Sequence, residues 1–144
     1  MAVQATPDQV IQFRQLTEST QSARRRLQVL VKLPASTPKP EWIHNTYPMT
    51  SDVEEALAEN ERFLLSFSKE QKDGLKKFFK QLQKAASEIT SDKKTLSRDL
   101  ESDAAGGEQI AGVIEKLQKA LDHFQSEQLA IAAEMGIQAT GTAN

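Results

Sequence analysis

Glu41-Trp42-Ile43-His44 is the stretch whose residue types and spacing come nearest to metal chemistry. A carboxylate and an imidazole three residues apart share one side of a helix, and di-iron bundle proteins use inward-facing Glu-x-x-His pairs of this kind on opposed helices. That chemistry requires the pair twice. Here it occurs once, in a stretch interrupted by Pro34, Pro38, Pro40 and Pro48, and the only other histidine, His123, has Ala120 where the glutamate would stand. His44 and His123 are read as ordinary polar residues, and no metal or other cofactor is expected. Nucleophilic chemistry lacks its signatures as well. There is no cysteine, no serine stands in a Gly-x-Ser-x-Gly elbow, and Gly106-Gly107 lacks the Gly-Lys-Ser/Thr ending of a phosphate loop. Glu54-Glu55 falls on a polar helix face, as solvated charge rather than a tuned acid/base couple. An enzyme is not expected.

Two basic features could meet an anion. Lys72, Lys76, Lys80 and Lys84 recur every four residues, with Lys69 and Lys77 beside them, and Arg24-Arg25-Arg26 stands earlier in the chain. A lysine stripe at helical spacing can follow nucleic-acid phosphates or an anionic membrane surface. Three consecutive arginines instead fan over about 200° of a helix and make no single patch. No aromatic residue interleaves the stripe on its own face, and the chain carries a net charge of −2. The stripe therefore reads first as a solvated face pairing with an acidic neighbour, and second as an anion-binding surface.

A third candidate is apolar. Residues 34–50 hold the only tryptophan and the only tyrosine, with Ile43 and Met49 nearby. The prolines predict a long non-helical connection here, and long connections tend to be functional or disordered. Trp42, Ile43, Tyr47 and Met49 would then lie over the core as an extended strap. Alternatively, they would form an exposed docking patch or a lid over a pocket.

The elements that must position these residues are helical. Apolar residues recur at three-four spacing in four runs, through Phe13, Leu16, Ala23, Leu27 and Leu30; Val53, Leu57, Leu64 and Phe67; Leu75, Phe78, Leu82, Ala85 and Ile89; and Ile110, Val113, Leu117, Ala120, Phe124 and Ile131. Such coiled-coil-like seams predict helices over about 7–33, 52–67, 69–101 and 108–135, within one domain covering 1–137, followed by a disordered tail over 138–144. Thr6-Pro7-Asp8-Gln9, Ser51-Asp52-Val53-Glu54 and Ser68-Lys69-Glu70-Gln71 each read as a capping box, and Gly106-Gly107 as a turn. Net charge alternates between segments, at +3 for 7–33, −4 for 51–67, +3 for 68–102 and −4 for 103–144. Sequential helices of opposite sign favour neighbouring positions. The expected fold is all-α, an antiparallel up-down four-helix bundle with a long Pro-rich connection between helices one and two.

Phe67-Ser68-Lys69-Glu70-Gln71, leading into a lysine-rich amphipathic helix, resembles the Leu-Thr-x-x-Gln signature of periplasmic Spy/CpxP-type stress proteins, with Phe for Leu at 67 and Ser for Thr at 68. The resemblance implies a small, helical, cofactor-free chaperone or stress sensor. With no catalytic constellation, the expected function is non-catalytic protein–protein interaction, as a scaffold, adaptor or chaperone-like stress protein. The partner would be another protein or a second copy. The alternative is an anion-binding module acting through the lysine stripe. No apolar run reaches the ~20 residues that span a bilayer. Met1-Ala2-Val3-Gln4-Ala5 lacks the regions of a signal peptide. Compartment stays open between the cytoplasm and, after loss of a leader peptide, the periplasm or exterior.

The seam generates a first prediction. Leu82→Ala should cost about 2–5 kcal/mol as a buried truncation, whereas Gln81→Ala, off the seam, should be near neutral. Equal shifts in the urea midpoint would place the buried face elsewhere.

Overall fold

The helical rhythm resolves into α1 (Pro7–Val31), α2 (Lys39–Leu65), α3 (Lys69–Gly74), α4 (Lys76–Glu101) and α5 (Gly107–Glu134), in a computed structural model that describes residues 3–137. All regular structure among the described residues is helical. The tail 138–144, expected to be disordered, lies outside them.

Local chemistry sets the helix ends. Thr6 caps α1 by accepting from the Gln9 amide, while the Gln9 side chain accepts from the Thr6 amide, and Pro7 occupies the first turn, where its missing N–H costs nothing. Ser68 and Gln71 repeat that box at the start of α3. α5 ends at Gly136 with φ +75°; Ile137 N–H returns to the Ala132 carbonyl at 2.8 Å and Gly136 N–H to Ala133 at 3.2 Å. Those two bonds make a Schellman cap, which needs the left-handed conformation that glycine adopts without strain. Gly107 opens α5 for a steric reason, since a β-carbon there would collide with the Ala35 carbonyl.

The chief correction concerns residues 34–50. α2 begins at Lys39, not at Ser51, so the expected Pro-rich connection shrinks to a short turn and the extended strap is instead helix. Pro40 sits in the first turn, where proline is tolerated. Pro48 lies inside the helix and deprives the His44 carbonyl of its amide partner, a cost of ~3 kcal/mol or more. Burial outweighs it. Helical geometry places Trp42, Thr46, Met49 and Val53 on one inward face, each buried. A tryptophan removes ~150–250 Å² from water, worth about 4–6 kcal/mol at ~25 cal/mol/Å² before methionine is counted. The longer α2 also matches the length of α1.

α1 and α2 run against each other, with Phe13 5.5 Å from Phe63 at one end and Ser22 and Arg26 on Asp52 farther along. α5 lies along α1 through Thr20–Gln128 and Arg24–Asp122, and along α4 through His123–Glu88. α2 and α4 meet much more sparsely. Core side chains from all four long helices and from Leu75 form one apolar cluster.

One buried polar contact ties the two halves of the chain. Gln9 Nε2 donates to Gln71 Oε1 at 2.9 Å, and Gln71 Nε2 donates to Gln9 Oε1 at 2.8 Å. Gln9 also donates to the Ser66 carbonyl, and Gln71 to that of Gln4. Each glutamine thus serves its own capping box and the other's amide. Removing either leaves buried groups unpaired, so Gln9→Ala and Gln71→Ala should each cost about 1–3 kcal/mol. The double variant should cost less than their sum, by ~0.5–3 kcal/mol. Urea unfolding of the four proteins measures this coupling, and strict additivity would contradict it.

Candidate functional site

Because α2 and α4 do not close on one another, a trough runs between them. Its larger section has a volume of about 680 Å³ and is walled by Leu57, Asn60, Glu61, Leu64 and Leu65 of α2, Lys72 of α3, and Phe79, Gln83, Ala86, Ser87 and Thr90 of α4. The smaller, of about 260 Å³, lies between Ile43, Thr46, Tyr47 and Thr50 on α2 and Ser97, Leu100 and Glu101 on α4. The Lys93–Glu54 ion pair, at 2.9 Å, falls between the two sections in sequence on both walls. It is surface-exposed on the Glu54 side and worth at most about 1 kcal/mol.

The apolar candidates divide along the helix. Trp42 and Met49 are core residues, whereas Ile43 (47% exposed) and Tyr47 (79%) face outward along the smaller section. Leu65, 72% exposed, ends the α2 wall of the larger one. Ile43, Tyr47 and Leu65 share one side of α2, because four and eighteen residues are close to one and five turns. Sequence reasoning missed this second stripe because it treated 34–50 as loop; with α2 begun at Lys39 the spacing is plain.

Two polar groups stand on the trough floor. Asn60 is 3% exposed and its Oδ1 accepts no hydrogen bond from the protein; Thr46, equally buried, has an unpaired Oγ1 in the smaller section. Both oxygens are shut off from solvent, so they lie beneath the trough lining rather than open to it.

The lysine candidates form the outer edge. Lys72 lines the trough, while Lys76, Lys80 and Lys84 are exposed on α4, each three residues before Phe79, Gln83 or Ser87 and hence beside them. None of the four forms an ion pair among the described residues. The expected pairing of this stripe with acidic α2 is not made; Lys93 makes that contact instead. Arg24 and Arg26 bind different helices, through Asp122 and Asp52, as residues fanning around a helix must.

His44 is exposed on α2, and His123 lies between Glu88 and Glu127, with a different ring nitrogen toward each. Among the described residues, no three His, Cys, Asp or Glu side chains are grouped to hold a metal. On the α4–α5 side, burial raises the Asp92 carboxyl above its usual range, nearby Lys116 lowers it, and Glu88 raises it. No helix among the described residues is long and apolar enough to cross a membrane. No protein-family model matches the sequence, and neither curated proteins nor solved structures yield a significant match.

Asn60 generates a prediction that separates folding from binding. Replacing a buried polar group that lacks a partner by an apolar one of similar size is neutral or stabilising. Asn60→Leu should therefore raise stability, by up to about 1–3 kcal/mol. A clear loss in thermal or urea unfolding would mean that the amide is structurally required.

Proposed function

We propose that this protein is a non-catalytic interaction module that receives a helical segment of another protein in the trough between α2 and α4. This reading takes the four long helices as an up-down antiparallel bundle with three tight seams and one open one. Its main support is the open seam itself, which Leu57, Leu64, Leu65, Phe79 and Ala86 line with apolar side chains. A helix laid in a groove buries an apolar stripe of its own with three-four spacing, the rhythm that the walls of this trough already carry.

The probe is a blocked amphipathic peptide of about three to four turns with a leucine seam and neutral Gln and Ala flanks. Added to the isotope-labelled protein, it should shift the NMR signals of Leu57, Leu65, Phe79 and Ala86 and spare Ile11 and Val29, which are exposed on α1. Leu65→Asp should abolish the shifts while changing stability by no more than ~0.5 kcal/mol, as exposed substitutions do. Uniform shifts, or binding that survives Leu65→Asp, would refute the reading.

A second reading rests on the unpaired lysines: Lys72, Lys76, Lys80 and Lys84 as a phosphate-binding edge. It requires a complex with DNA, RNA or anionic vesicles whose affinity falls steeply with salt and whose salt dependence flattens in Lys76→Gln/Lys80→Gln. The docking reading expects no such complex near physiological salt.

A further inference from the structure

We infer that the segment received by the trough is an acidic amphipathic helix of another polypeptide, lying with its carboxylates along α4. This rests on the docking reading above and adds the chemistry of the partner. The two walls differ in sign. On α2, Glu54 and Glu61 lie two turns apart on the trough side, and Glu54 is already held by Lys93. On the opposite wall, Lys72, Lys76 and Lys80 have no carboxylate partner among the described residues, and they flank the larger section where Phe79 and Gln83 line it.

A helix entering between these walls presents one flank to each. Carboxylates on the α4 side meet free ammonium groups at the edge of an apolar seam, where water is partly excluded and charge is less screened. A basic flank there would meet like charge. On the α2 side Glu61 accepts a neutral or basic flank. The larger section sets the length. From Phe79 to Thr90, α4 advances about 17 Å, which three turns of helix cover without displacing the Lys93–Glu54 pair.

Three peptides with one leucine seam test this, differing only in the flank that would face α4: glutamate, glutamine or lysine. By fluorescence anisotropy in low salt, the glutamate form should bind about tenfold or more tighter than the lysine form, and this ratio should shrink as salt rises. Lys72→Gln/Lys76→Gln/Lys80→Gln should bring the ratio close to unity and leave binding of the glutamine peptide unchanged. Equal binding of all three, or preference for lysine, overturns the acidic partner while leaving docking intact. Failure of all three overturns docking itself. Sedimentation of the protein alone covers the remaining occupant. A dimer that Leu65→Asp dissociates would show the trough to be filled by a second copy, and would overturn the proposal.

Discussion

Two buried amides, Gln9 and Gln71, have to find each other, and much of the architecture follows from that requirement. A primary amide removed from water leaves donors and an acceptor that cost about 1–3 kcal/mol apiece when unpaired. Each of these side chains already serves its own helix start, accepting from the Thr6 or the Ser68 backbone. What is left over on each is satisfied by the other and by the Ser66 and Gln4 carbonyls. The pairing therefore fixes the N-terminus of α1 against the turn that leads into α3. The Phe13–Phe63–Phe67–Phe79 chain, with ring centroids 5.2–5.5 Å apart, fills the adjoining layer and carries the constraint from α1 through α2 to α4.

With that end clamped, the composition of each facing surface decides which seams close. α5 offers Ile110, Ile114, Leu117, Leu121, Phe124 and Ile131 to the core, and burial at ~25 cal/mol/Å² draws α1 and α4 onto it. α2 and α4 face each other with Thr46, Thr50 and Asn60 on one side and Gln83, Ser87, Thr90 and Ser97 on the other. Closing such walls directly on one another would leave these hydroxyls and amides short of partners, although Leu57, Leu64, Leu65, Phe79 and Ala86 stand among them. The trough is thus a consequence of residue choice along two helices, and its apolar rim at Leu57, Leu65 and Phe79 is what the closed seams leave over.

How legible this was in the sequence depends on which force acted locally. Helical class, the apolar seams and the boxes at Thr6 and Ser68 could be read directly, because spacing and capping chemistry are short-range; the box read at Ser51 falls inside α2, and the single helix expected over 69–101 breaks at Leu75 into α3 and α4. Lys39–Thr50 could not. Pro34, Pro38, Pro40 and Pro48 argue locally against helix, and only the long-range burial of Trp42 and Met49 overrides them. That misreading propagated to the site. A strap or patch keeps Trp42, Ile43, Tyr47 and Met49 together, whereas a helix sends alternate members inward and outward. The lysine stripe was visible as a stripe, but its relation to the trough was not. Lys76 and Lys80 gain a defined neighbour only when the opposing wall is α2 and when Lys93, not the stripe, takes the Glu54 carboxylate.

Lys39 shows how the helix that defies its prolines is held at the end where it begins. Its ammonium donates to the carbonyls of Ser102 and Ala105, just beyond α4. Ser102 caps α4 and Ala105 stands just before Gly106, the N-cap of α5, so the ammonium satisfies carbonyls of the α4–α5 turn. That contact pins the first turn of α2 to the C-terminal end of α4. Gln71, on α3, pins the other end through Gln9. Between these anchors α2 and α4 are joined by the exposed Lys93–Glu54 pair, and no buried seam forces their middles together. The groove is thus tied at both ends and bridged by one ion pair between them.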